Sequence, residues 1–266
     1  MEHNAEYCKN CDQHLLLNQK YCHNCGQETN THRINFHFLI HEIQHSIFHV
    51  DGGIFYTLKE LFIRPGFMIR DYLEGKRIRH FKPVLLLIIL GTISSLSYIL
   101  NPREKNNKEI INIVGQNEID FIDLKALSQY LKTIADWFSE HVAFSILFLI
   151  PAIAFGFYLG FKKYEINYPE WLVSITYLAS FAMAVDFLFM IIESIFHYDI
   201  SFIFSLIIFG FILWAMLQFF SGKSIKSIIL RTIWSEFLVF IFVILFIVIV
   251  ALGVILTGFM KYSHLN

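Results

Sequence analysis

The chain has 266 residues, 56% of them hydrophobic and only 16% charged, with 29 phenylalanines and a formal net charge of −1; its mean hydropathy is +0.54. A soluble domain carries roughly a quarter charged residues, so this composition excludes both simple disorder and a water-soluble enzyme. It predicts an all-α polytopic membrane protein with a small polar head.

Residues 1–30 form that head. They hold no apolar run longer than Leu15-Leu16-Leu17, whereas a signal core needs about 7–15 residues, so no signal peptide is expected. All four cysteines fall here, as Cys8-Lys-Asn-Cys11 and Cys22-His-Asn-Cys25. The two-residue gap lets both sulfurs of a tight turn meet one ion, and Gly26 follows the second pair, where the turn needs a residue tolerant of positive φ. Two such knuckles supply the four thiolates of a closed tetrahedral Zn2+ site, a zinc ribbon. Two disulfides are the alternative and would require an oxidising compartment. So short a segment builds no core, and bound zinc would contribute roughly 10–16 kcal/mol of folding energy. Residues 1–33 carry Lys9, Lys20 and Arg33 against Glu2, Glu6, Asp12 and Glu28. That balance leaves no basic footprint for nucleic acid; a structural ribbon that docks a cytoplasmic protein is expected instead.

Residues 31–83 read as interfacial helices ending in a basic collar. Ile34, Phe38, Ile40, Ile43, Ile47 and Phe48 recur at mainly helical spacing over 34–50. His37, His41, His45 and His49 fall every fourth residue and form one slanting ridge. Within it, His41-Glu42-Ile43-Gln44-His45 matches H-E-x-x-H, in which two histidines bind zinc and the glutamate activates water. His49 or Asp51 would complete such a second metal site. Ile47, however, stands where a metzincin has the glycine of its turn. An amphipathic helix with its imidazoles at headgroup level is the plainer reading. A second short helix runs to Ile63 and ends at Arg64-Pro65-Gly66, since a residue before proline avoids the α region. Phe67–Leu73 resumes the helix and Gly75 stops it. Arg64, Arg70, Lys76, Arg77, Arg79 and Lys82 then crowd the approach to Pro83. Such a collar attracts anionic headgroups, at roughly 1 kcal/mol per basic residue near the surface, or acts as a topology signal alone.

Several strings in this region carry a resemblance: Tyr21-Cys-His-Asn-Cys-Gly-Gln27, Asp51-Gly52, Thr57-Leu-Lys-Glu-Leu61, Arg64-Pro-Gly66, Ile69-Arg-Asp-Tyr72, Glu74-Gly-Lys-Arg77 and Lys82-Pro83. Together they resemble an uncharacterised bacterial family of multi-pass membrane proteins with an N-terminal zinc ribbon and an R-P-G…R-x-Y…G-K-R…K-P juxtamembrane motif. The resemblance implies architecture and transfers no catalytic residue. In layout alone, amphipathic helices followed by five spans are also similar to the Yip family of membrane-trafficking proteins.

Residues 84–266 supply five apolar stretches near the 20 residues that cross a bilayer: Val84–Leu100, Val142–Phe161, Trp171–Phe196, Ser201–Phe220 and Ile233–Met260. The collar, Lys162-Lys163 and the group Lys223, Lys226 and Arg231 alternate correctly for the cytoplasmic side of a bacterial inner membrane. The N-terminus is then cytoplasmic and the C-terminus periplasmic. The loop 101–141 faces outward despite five basic residues, which seven acids dilute. Its Phe121, Leu124, Leu127, Tyr130, Leu131, Ile134 and Phe138 suggest a helix packed on the outer surface, with a plain linker as the alternative.

Asp186 falls in the middle of the third stretch, where an aspartate costs about 2.5–3.5 kcal/mol to insert. Met183, Asp186, Met190, Glu193 and His197 share one face by spacing, a polar stripe toward the outer surface. It is either a conduit for a proton, a metal ion or a headgroup, or Asp186 is hydrogen-bonded to a neighbour such as Gln218, Ser205 or Tyr98. Glu236 is expected to snorkel or to pair with Arg231 or Lys223. The leading reading is a non-enzymatic integral membrane protein of unassigned activity, with membrane lipids and a cytoplasmic protein as partners and a second copy of the chain as a further candidate. A metalloenzyme built on His41, Glu42 and His45, and a transporter or scramblase centred on Asp186, are the alternatives.

Overall fold

A computed structural model describes residues 7–16, 19–46, 53–100, 141–196, 198 and 200–263. His49, Asp51, His197 and the expected outer helix within 101–141 lie outside these residues, and the side chain of His45 is likewise not described. Among the described residues the chain is helical, with β pairing confined to the isolated bridges Tyr7–His14 and Tyr21–Glu28 in the head.

Three short helices follow the head: α1 (Phe36–Ser46), α2 (Ile54–Ile63) and α3 (Pro65–Leu73). Arg64 alone separates α2 from α3. Pro65 imposes this break: it pushes Arg64 out of the α region (φ −148°, ψ 59°) and itself takes the first helical position, where its missing N–H costs nothing. Helix α3 therefore starts at Pro65, two residues before the expected Phe67. The Arg64 guanidinium bonds Glu60 on α2 and reaches Asp71 on α3 at 3.2 Å, which ties the two helices across the break.

The apolar helices are α4 (Pro83–Leu100), α5 (Val142–Gly160), α6 (Tyr168–Phe196), α7 (Ser201–Phe219) and α8 (Ile225–Ser263). Among the described residues three stretches are long and apolar enough to cross a membrane: Tyr168–Phe196, Ser201–Phe219 and Ile225–Phe246. Pro83–Leu96 and Phe144–Gly160 are shorter apolar stretches. Helix α8 begins at Ile225 rather than the expected Ile233, because no proline or glycine interrupts Ile225–Trp234. At 39 residues it is about 58 Å long, longer than the hydrocarbon core of about 30 Å.

Helix α6 is the centre of the packing, with α4 and α5 against it, α8 against α5, and α3 against the end of α7. Half of the α6 apolar window is buried inside the protein, against 22% for α7 and 17% for α8. Those two helices leave Phe202, Leu206, Trp214, Phe237 and Phe240 exposed, a face that only an apolar solvent or another apolar surface satisfies. The abundant phenylalanine is thus divided between this face and an aromatic stack: Phe161 lies parallel to Phe220 at 4.8 Å, and both border the fully buried Trp171.

Gly156 and Gly160 form a G-x-x-x-G pair on α5 and let α8 approach closely. A Cβ on Gly156 would stand 2.7 Å from Val239 Cγ2, and one on Gly160 would collide with Ser235 Oγ. Gly160→Leu should therefore destabilise the bundle by about 2–4 kcal/mol, read as a lower unfolding temperature in detergent; substitution at Gly210, which meets nothing, is the control.

Candidate metal centre and its dock on the juxtamembrane segment

The head is a fourteen-residue unit used twice. Tyr7-Cys-Lys-Asn-Cys-Asp-Gln13 recurs as Tyr21-Cys-His-Asn-Cys-Gly-Gln27. In each copy the first cysteine N–H donates to the glutamine carbonyl, Cys8 to Gln13 at 2.9 Å and Cys22 to Gln27 at 2.8 Å. The residue after the second cysteine donates back to the first, Asp12 to Cys8 and Gly26 to Cys22. That residue has positive φ in both copies, 55° at Asp12 and 75° at Gly26. Glycine reaches this region freely and aspartate is among the side chains that tolerate it.

The two turns face each other and bring four sulfurs together. Cys8 Sγ lies 3.6 Å from Cys25 Sγ, and Cys11 Sγ lies 3.7 Å from Cys22 Sγ; all four lie within 4.8 Å of one another. A tetrahedral ion with thiolates at about 2.3 Å sets its ligands about 3.8 Å apart. The group fits one metal ion, and no other set of three or more ligating side chains is so gathered among the described residues. Two of the thiols are shifted in opposite directions. Burial pushes Cys8 up to about 12, while a backbone hydrogen bond at Gln13 helps to bring Cys11 down to about 7. A bound cation removes that penalty, since thiolates are the ligands and protons compete with it.

Gln27 carries the head onto the collar. Its side chain is buried, and its Oε1 accepts two backbone N–H bonds, from Arg77 at 2.9 Å and Ile78 at 3.0 Å. Arg77 reinforces the contact by donating to His32 O at 3.0 Å and Tyr72 O at 3.1 Å while lying 4.4 Å above the Phe38 ring. Gly75, at φ 105°, presses against Thr31 too closely for a Cβ. Sequence reasoning missed Gln27, although the repeated C-x-Q ending of the two knuckles was there to be read.

The remaining collar residues are placed as follows. Arg70 Nη2 donates to Phe219 O, to Gln218 O at 3.2 Å and to Ser221 Oγ at 3.1 Å, at the C-terminal end of α7. Lys76 bonds Asp71 at 2.7 Å. Arg79 is exposed and Lys82 half-buried. Arg33, unassigned by the sequence, makes a bidentate pair with buried Glu170 at 2.6 and 2.8 Å. Glu170 also closes a capping box with Asn167: each side chain accepts from the other's backbone N–H at 2.8 Å. The string Asn167-Tyr-Pro-Glu170 was a legible sign of that helix start.

Of the H-E-x-x-H set, the rings of His37 and His41 stack at 6.5 Å, whereas Glu42 accepts the Tyr72 hydroxyl. Burial raises the Glu42 carboxyl above its usual range. His45, His49 and Asp51 are the undescribed members. In the polar stripe, Asp186 is half-buried, and Glu193 Oε1 accepts from Ile200 N at 3.2 Å, before the first turn of α7. Two suggested partners of Asp186 bond elsewhere: Gln218 Oε1 to Gly66 N at 3.1 Å and Ser205 to Ser201 O at 3.0 Å. Glu236, expected to snorkel or to pair with Arg231 or Lys223, makes no ion pair with either among the described residues. Arg231 Nη1 donates instead to Gly160 O at 2.7 Å, and Glu236 Oε1 is buried without a hydrogen-bond partner. The carbonyl left open at the end of α5 outcompetes the carboxylate on Arg231's own helix.

Helices suited to a membrane and a four-cysteine metal group fit an integral membrane protein of unassigned activity with a metal-binding head. A family model described as a protein of unknown function (DUF3667) matches residues 51–94, the segment that holds α2, α3, the collar and the start of α4. No curated protein and no solved structure matches the chain.

Replacing Cys22 and Cys25 with serine should remove the metal, one ion per chain by elemental analysis, while the helical content of the bundle is kept. Full metal content in that variant would overturn the four-cysteine assignment; a second ion lost in His41→Ala would place one on the histidine ridge.

A pH dependence follows from His80, whose ring lies 5.4 Å from Tyr56 and 6.3 Å from Tyr72 and whose Nδ1 is buried without a partner. Burial lowers its pKa to about 4, with the cations of Arg64 and Lys76 adding to the effect and Asp71 and Glu60 opposing it. The folded state therefore binds the proton less readily than the unfolded chain. Its contribution is present above about pH 6.5 and is lost as pH falls toward 4, about 3 kcal/mol in all. Thermal unfolding in detergent should show that loss, and His80→Phe should remove this component while leaving the metal-linked one.

Proposed function

We propose that this chain is a non-enzymatic protein of the bacterial inner membrane that crosses the bilayer five times, with a cytoplasmic N-terminus and a periplasmic C-terminus. On this reading α4 and α5 join α6, α7 and α8 as spans, as the alternating Lys and Arg content of the loops supports. Four thiolates in a reducing compartment favour Zn2+ as the resident ion. The zinc ribbon, α1–α3 and the collar act as one platform on the inner leaflet, which offers a protein partner the exposed face of the ribbon and offers anionic lipid Arg79 and Lys82. The spans house lipid or solute handling, or simple anchorage.

One observation carries this reading: the Gln27 side chain joins the second knuckle to the backbone of the collar at Arg77 and Ile78. A metal that organises the knuckle thereby organises the collar as well. The charge balance of the head argues against nucleic acid as a partner. The catalytic alternative is weakened by Glu42, whose carboxylate is engaged by Tyr72.

Limited trypsinolysis tests the coupling. Lys76 and Arg77 should resist cleavage in the metal-loaded protein and become the first sites cut after chelation, with Gln27→Ala giving the same exposure while the metal stays bound. Equal cleavage in all three states would refute a platform held together by the head. Orientation is checked separately, by an N-terminal tag that should be labelled only after the cells are permeabilised.

A further inference from the structure

The polar ends of α3, α5, α7 and α8 do not close on one another. They leave an open cleft of about 560 Å³ beside the loop that joins α5 to α6, a volume within the range of small-molecule sites. Arg33 and Glu170 border it but spend their charges on each other. The charges left for a ligand are Arg70, Lys163 and Lys223 on one hand and Glu74 and Glu165 on the other.

Each cation is positioned differently. The three bonds of Arg70 to the end of α7 all run through Nη2, and Phe67 lies under its guanidinium at 5.8 Å. Its Nη1 and Nε edge is therefore held in place yet not consumed by those bonds. Lys163 and Lys223 are exposed, and neither has an ion-pair partner among the described residues. They flank the ends of α5 and α8, the depth at which lipid phosphates lie if these helices cross the bilayer. Phe219 and Phe220 close the inner wall, next to the apolar core. Three cations converging on an open cavity are suited to a phosphate. Glu74, beside Lys76, and Glu165, beside Arg33, add negative charge to the rim, which opposes a purely anionic ligand and suits one that also carries a cation.

We propose that this cleft binds a phosphate ester that also carries a primary amine, of the phosphoethanolamine class. Arg70, Lys163 and Lys223 take the phosphate, and Glu74 and Glu165 take the ammonium group. The placement at the inner leaflet rests on the five-span reading above. The same chemistry occurs as a phosphatidylethanolamine headgroup and as the free ester.

The test uses the full-length, metal-loaded chain in detergent, with short-chain phosphatidylethanolamine, phosphatidylcholine and phosphatidylglycerol titrated separately and bound lipid counted by native mass spectrometry. Phosphatidylethanolamine should bind most tightly, since choline has no N–H to donate and glycerol has no charge for the carboxylates. The double variant Lys163→Glu with Lys223→Glu should lose about tenfold or more in affinity while keeping its metal and helical content. Glu74→Lys with Glu165→Lys should reverse the preference toward phosphatidylglycerol. Soluble phosphoethanolamine that competes at equal concentration would assign the site to the free ester; weak competition would assign it to the lipid; either supports the proposed chemistry. Equal binding of the three lipids, or binding unchanged in both double variants, would overturn it. If an N-terminal tag is reached only from inside while no headgroup binds, the cleft proposal fails and the topology stands. A tag labelled from outside intact cells removes the topology, whatever the cleft binds.

Discussion

Helices that end at one polar surface leave backbone groups without intrahelical partners, and the arrangement at this end of the bundle is largely a set of answers to that problem. Arg70 donates to the last carbonyls of α7, Arg231 to the last carbonyl of α5, and Arg77 to Tyr72 O near the end of α3. Each places positive charge where a helix macrodipole is negative. At the opposite polarity, Asn167 and Glu170 satisfy the first N–H groups of α6. Basic residues that in the sequence read as a membrane-surface signal thus fasten the ends of the apolar helices and of the short helices before them. The two roles are compatible, because an arginine has five N–H donors and a cap uses only some of them.

The head obeys a different constraint. Among the described residues its apolar cluster is Cys8, Leu15 and Cys22, with Cys11 and Cys25 against it, far too little to offset the entropy of ordering the segment. A metal on the four sulfurs is the available source of stability, roughly 10–16 kcal/mol in comparable structural zinc sites. Joining the head to the collar costs a buried amide at Gln27, and the two N–H bonds that its oxygen receives offset that burial. The collar turn from Gly75 to Ile78 therefore gets its shape from both sides, from α3 before it and from the head above it.

Inside the apolar bundle, polar side chains are handled locally. Ser174, Thr176 and Ser180 on α6 each return a hydrogen bond to the carbonyl four residues earlier, at 2.7–2.8 Å, so they add small volume at the packed face without an unpaired hydroxyl. Ser94 instead crosses from α4 to Met183 O at 3.1 Å, and Tyr177 reaches Phe81 O at 2.7 Å. Glu193 Oε1 accepts from Ile200 N, just ahead of the first turn of α7. The stripe from Met183 to Glu193 shares a face, as periodicity implies, but one face does not mean one purpose.

Much of the plan was legible in the residues. Apolar length set the helices, C-x-x-C spacing gathered the sulfurs, Arg64-Pro65 broke α2 from α3, and Gly75 ended α3, because each depends on covalent geometry or on neighbours within a turn or two. The sequence was less informative about how far α8 extends, since amphipathic and apolar helix join there with no breaker between them. What periodicity does not reach is the choice of partner. Gln13 and Gln27 are equivalent in the repeat, yet only Gln27 is buried against Arg77 and Ile78. Arg231 bonds Gly160 rather than Glu236, and Arg33 meets a glutamate 137 positions away. Those outcomes are settled by which surfaces the packed helices bring together, because a buried hydrogen bond takes whichever donor or acceptor the tertiary structure leaves open, and nothing local to either residue encodes that.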